Sequence, residues 1–165
     1  MSGQSDLIER YARGGGLLKY AAQGMTPEHQ ATRIGPGQWS PAEVVAHLLD
    51  SDLVLADRLK RLIAEENPVL QAFDEQAWLT RLDSQSMPVD EAVALFSANR
   101  QWMTRILERC TESDFARTGM HSETGRQTLA SVLAKTVSHL DHHLKFLYGK
   151  RAALGDAVPP RYSED

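Results

Sequence analysis

From Leu129 to Leu147 the chain reads LASVLAKTVSHLDHHLKFL, and this stretch constrains the fold more than any other. Leu129, Val132, Leu133, Val137, Leu140, Leu144 and Leu147 return at intervals of three and four. That is the period of an α-helix with one buried side. Such a helix needs other apolar faces to cover its stripe. Three of the six histidines fall on it, at His139, His142 and His143. A helix turns once every 3.6 residues, so His139 and His143 stand one above the other along the edge of the stripe. Histidines four apart are the spacing with which zinc helices grip an ion. The question for the remaining sequence is whether it supplies a third ligand.

Three further stretches have helical periodicity. Ser5 can cap a first helix, with Leu7, Ile8, Tyr11, Leu17, Leu18 and Ala21 as its stripe. Gly14, Gly15 and Gly16 interrupt it; each costs about 1 kcal/mol against alanine, which predicts a bend or break. Thr26-Pro27 opens a short helical turn through His29, and Gly35-Pro36-Gly37 forces a loop. The second helix starts at Trp39-Ser40-Pro41-Ala42-Glu43. Here Ser40 is the cap, Pro41 the first helical residue and Glu43 the closing member of a capping box. Its stripe, Val44, Leu48, Leu55, Leu59 and Leu62, runs to about Glu66, before Asn67-Pro68 ends it. A short helix is expected from Asp74 to about Leu82, and a third long one from near Pro88 to Cys110. Thr111 with Asp114 forms another capping box, and residues 117–127 read as a polar loop.

No stretch alternates as a half-buried strand would. The expectation is an all-α four-helix bundle over residues 1–154, with short extra helices, followed by a frayed or docked tail at 155–165. The connections are longer than a simple bundle needs, and they adjoin the helix ends that carry the histidines. With 165 residues the chain is one domain that can bury a core unaided, and its single cysteine excludes an internal disulfide. A net charge of −4 argues against nucleic acid as the main partner. The start, MSGQSDLIER, lacks the apolar core of a signal peptide, and no apolar run approaches the roughly 18 residues that span a bilayer. These features point to a cytoplasmic protein that does not act on membranes.

His47 lies in the first two turns of the second helix, beside its stripe, and is the candidate third ligand. Across a bundle it could meet His139 and His143, leaving an open position for water or substrate. The alternative is that each histidine is a partly buried, hydrogen-bonded residue or a solvated one. Asp50, one turn beyond His47, could orient its imidazole or accept a proton, or could be a solvated carboxylate. Asp141 and His29 read as solvent-facing surface positions, and His121 as structural or surface. Trp39, Trp78, Trp102, Phe73 and Phe96 read as core more readily than as a substrate pocket, and Cys110 as a buried, inert thiol.

The whole pattern resembles the DinB/YfiT-like family. The stretches that carry the resemblance are Gly37-Gln38-Trp39-Ser40-Pro41-Ala42-Glu43 with Val45-Ala46-His47-Leu48-Leu49-Asp50, and Ser138-His139-Leu140-Asp141-His142-His143. Thr118-Gly119-Met120-His121 and Gly125 look like the family's loop before its last helix. The likeness covers about Asp6 to Leu154. It implies a four-helix bundle with a divalent metal, zinc or nickel, on His47, His139 and His143. It further implies a small-molecule substrate, with low-molecular-weight thiol S-transfer as the first expected chemistry and hydrolysis the second. A homodimer is a family-level expectation. The alternative is a non-catalytic metal- or ligand-binding bundle. His142 could replace His143 by pairing with His139; His143 is favoured because it matches the family position.

Overall fold

A computed structural model describes residues 3–165. Its helices are α1 (Gly3–Ala22), α2 (Pro27–Ala31), α3 (Pro41–Ala64), α4 (Glu75–Arg81), α5 (Val89–Leu107), α6 (Glu112–Phe115) and α7 (Leu129–Ala153), with a 3₁₀ turn at Ser84–Ser86. Three short strands, β1 (Val69–Leu70), β2 (Thr118–His121) and β3 (Gly125–Thr128), form one sheet in that order. The long helices α1, α3, α5 and α7 make a four-helix bundle. Both α1 and α3 pack on α5 and α7 but barely touch each other, so consecutive long helices α1 and α3 stand diagonally. A connection across the diagonal must pass over the end of the bundle, which explains part of the length of the loops.

The capping box at the start of α3 forms as the sequence predicts. Ser40 Oγ accepts from the Glu43 N–H, and the Glu43 carboxylate accepts from the Ser40 N–H at 2.7 Å. The start of α7 is capped in the same way, by Thr128 and Ser131. These caps set where each helix begins and therefore which way its histidines point.

The core divides into two apolar layers. One gathers Leu18, Leu48, Phe96, Leu140 and Leu144; the other gathers Leu59, Leu62, Met103, Leu133 and Val137. Between them Arg100 of α5 lies buried against Asp52 of α3, Nε to Oδ1 2.8 Å. Asn99 donates to the other Asp52 oxygen at 2.8 Å, and the guanidinium also donates to the carbonyls of Tyr11 and Thr136. One buried ion pair thus touches all four long helices.

Several expectations need correction; Trp102, read as core, is exposed on α5. Helix α1 runs unbroken through its three glycines. A Cβ at Gly14 would collide with the Arg100 guanidinium and Leu140, so the glycine lets the buried cation reach the backbone of α1. Packing outweighs the roughly 1 kcal/mol propensity cost of each glycine. Residues 117–127 are not a plain loop: β2 and β3 pair antiparallel, His121 opposite Gly125, and β1 joins β2 in parallel. A Cβ at Gly119 would press within 2.8 Å of the Pro68 carbonyl oxygen, which is why β2 can lie so close to the end of α3. Asp141 is not a surface residue. It accepts the Ser163 N–H at 2.9 Å and the Ser163 hydroxyl, pinning the tail, with Ser163 fully buried. Of the two fates expected for that tail, it is docked.

Candidate metal centre

The second turn of α3 presents His47 to α7, where His139 and His143 lie one turn apart. His47 Nε2 is 3.3 Å from His139 Nε2 and 3.1 Å from His143 Nε2, and the three donor atoms all fall within 4.8 Å of one another. His47 is buried, and the other two are half-buried. The Trp39 ring forms a wall, parallel to the His143 ring to within 6° and 5.0 Å from the His47 ring. The residue that precedes the helix cap thus also shapes the site.

Burial sets the charge on this cluster. Desolvation is the largest cause in each case, holding the imidazole of His47 at about 4 and those of His139 and His143 at about 3. Mutual repulsion among the rings adds to it for His139 and His143. All three are therefore neutral at ordinary pH, with lone pairs free for a cation. Each neutral imidazole has a single N–H. If those protons sit on Nδ1, three lone pairs face one another, an arrangement that a positive ion relieves. Tetrahedral nitrogen ligands at about 2.0–2.1 Å from an ion stand roughly 3.3 Å apart, close to the spacings observed. Three imidazoles are also a donor set that suits zinc, nickel or a similar divalent ion. The residues fit a metal.

The depressed values have a consequence for the metal-free protein. Below about pH 6.5 the unfolded chain takes up protons on these histidines that the folded chain refuses. The folded state accordingly loses stability as pH falls from about 6.5 toward 4, by up to about 1.4 kcal/mol per pH unit for each histidine. Thermal melts of EDTA-treated protein between neutrality and about pH 5 should show this slope, and His139→Ala should flatten it by roughly a third. An identical slope in the two proteins would mean that burial does not hold these rings neutral.

The other sequence candidates fall elsewhere. His142 is exposed and packs edge-on against Phe146, outside the cluster of donors. Asp50 has no hydrogen bond to His47 among the described residues. It lines a separate cavity of about 450 Å³ with Ala46, Leu49, Leu82, Met87 and Leu95. From α3 it is Ser51 that approaches, its Oγ 3.5 Å from His47 Nε2. A carboxylate approaches from α4, Glu75 Oε2 lying 4.0 Å from the same nitrogen. Ser51 is one helical turn beyond His47 and was findable from spacing; Glu75 sits in a distant connection and was not. His121 is structural, its Nδ1 accepting the backbone N–H groups of Glu123 and Thr124. His29 is half-buried, 4.0 Å from the Asp156 carboxylate. Burial raises the pKa of the Cys110 thiol, which donates to the Ile106 carbonyl, as befits an inert cysteine.

With this geometry in place, residues 10–147 match the DinB superfamily. The chain belongs to that family. Among its DinB-superfamily relatives, a protein of Bacillus licheniformis is 31% identical over 140 residues, covering 84% of this chain and 80% of the relative. YfiT of Bacillus subtilis is 32% identical over 128 residues, covering 77% and 72%. Both are named, provisionally, as metal-dependent hydrolases. The solved structure of YfiT, described as having an unusual four-helix bundle topology, superposes with a TM-score of 0.87 at 28% identity. That superposition covers 94% of this chain and 90% of YfiT. Among the described residues no helix is long and apolar enough to cross a membrane.

Proposed function

We propose that this protein is a metal-dependent hydrolase of small molecules in which His47, His139 and His143 hold one divalent ion, zinc or nickel. The observation that carries the reading is the meeting of three neutral imidazole nitrogens from two helices at 3.1 and 3.3 Å. A divalent ion bound there supplies a Lewis acid and brings the pKa of an adjacent water to about 7. The chain supplies the rest. Glu75, half-exposed and 4.0 Å from His47 Nε2, is placed to take a proton from the attacking water. The Ser51 hydroxyl beside it orients the nucleophile, and the ring of Trp39 keeps bulk water from one side. Hydrolysis takes precedence over thiol transfer because a carboxylate stands next to the donors and the relatives carry hydrolase names.

Transfer to a low-molecular-weight thiol is the second reading. It is favoured by cavities that reach the centre from different sides, among them one of about 400 Å³ beside His143 and one of about 130 Å³ beside His139, Ser51 and Glu75. Two cavities can seat two substrates. The test is elemental analysis of the purified protein, followed by turnover assays with ester and amide panels and with thiol–electrophile pairs. One divalent ion per chain with ester or amide hydrolysis that EDTA abolishes is the expected result. Turnover only when a thiol is present would transfer the assignment to the second reading. A bound ion with no turnover in either assay would leave a binding protein.

A further inference from the structure

The cavity beside His143 contains a group that the reaction chemistry above does not use. Its lining includes Trp39, Val44, His143, Phe146 and Lys150, and its volume is about 400 Å³. Lys150 is only 6% exposed, yet among the described residues its ammonium has neither a hydrogen bond nor an ion pair. The acid that acts on it is Glu43, with which it makes neither a hydrogen bond nor an ion pair. Glu43 is already committed: Arg33 donates to both its oxygens, and the Ser40 N–H donates to one of them. Burial accordingly lowers the pKa of the Lys150 ammonium below the usual lysine value. A largely desolvated cation without a close partner gains from an anion brought beside it.

The position of Lys150 suggests what that partner is. It follows His143 by seven residues, two turns along the same face of α7, about 10 Å along the helix axis. Between the two lie the apolar walls of Trp39 and Phe146. The cavity therefore brings together one imidazole of the cluster, that of His143, two aromatic rings and a single positive charge.

We propose that this cavity binds the substrate, and that the substrate is an apolar, preferably aromatic, carboxylate whose anionic end pairs with Lys150 while its other end reaches the imidazole cluster at His143. The assignment of the reacting end rests on the hydrolase reading; the anion site itself does not. A neutral molecule of the same shape leaves the ammonium unpaired and binds more weakly, so the lysine selects for charge and the aromatic walls select for flatness.

The test uses full-length, EDTA-treated protein, so that a carboxylate cannot bind through a metal. Calorimetric titration compares 3-phenylpropionate with the isosteric 3-phenylpropanamide. The acid should bind at least about tenfold more tightly, the discrimination expected of one charge-assisted contact. In Lys150→Met, which keeps the apolar stem, the preference should vanish with the amide unaffected. Lys150→Arg should keep most of it. Equal affinity of acid and amide for the wild-type protein would overturn the proposal, and that comparison needs no variant to fold. So would undiminished binding of the acid to Lys150→Met. The two readings fail separately: the acid preference with no metal uptake sinks only the hydrolase, whereas metal uptake with no acid preference sinks only this site.

Discussion

Replacing His139 by alanine is expected to abolish stoichiometric binding of a divalent ion, and with it any metal-dependent turnover. Losing even a residue that merely orients a ligand costs about 10–100-fold in metal affinity, so losing one of three ligands should cost more. The effect is also visible without an assay. An ion present at about 1,000 times its dissociation constant stabilises the fold by about 4 kcal/mol. In a domain of this size that raises the melting temperature by roughly 10 °C. The wild-type protein should show this increment between EDTA-treated and metal-loaded samples, and His139→Ala should not. His142→Ala is the control, because its ring is exposed and outside the donor cluster, and it should behave as the wild type. If His139→Ala still held one ion per chain, the centre would lie elsewhere and the hydrolase reading would fall.

The second large effect is expected at the centre of the bundle, away from the chemistry. Asp52→Ala removes the carboxylate that faces Arg100 and leaves a guanidinium buried among four helices. Breaking a buried pair from one side costs about 3–5 kcal/mol, because the remaining charge has lost its compensation. The carbonyls of Tyr11 and Thr136 and the faces of the Tyr11 and Phe96 rings still surround the cation, but none carries a full negative charge. A fall of roughly 10 °C or more in melting temperature is expected. The pair as a whole need not stabilise the fold. Replacing Asp52 by leucine and Arg100 by methionine together removes both charges and should recover most of the loss. Denaturant melts of the two variants settle the matter; a loss under about 1 kcal/mol for Asp52→Ala would show that water reaches the guanidinium.

The sequence alone carried much of this protein, because helical signals are local. The Ser40–Pro41–Glu43 cap, the stripe of α3 and the stripe of α7 each depend on neighbours within a few residues, and each appears where spacing predicts it. The i, i+4 relation of His139 and His143 is likewise a property of one helix. That His47 could meet them was read from its place beside the α3 stripe and implied by the family resemblance; helical spacing by itself carries no distance between helices.

The tertiary structure decided what depends on residues far apart in the chain. It keeps α1 straight through Gly14, where the absent Cβ admits Arg100 from α5. It pairs the polar segments Thr118–His121 and Gly125–Thr128, too short to show alternation, through backbone hydrogen bonds. It draws Ser163 of the tail onto Asp141, and Glu75 of a remote connection to within 4.0 Å of His47. It also leaves Lys150 beside an aromatic cavity without a hydrogen bond or ion pair among the described residues, the nearby Glu43 being held by Arg33 and Ser40. A helix is determined by contacts three and four residues along the chain, whereas a site is determined by which faces pack together, and that is settled by the free energy of the whole core.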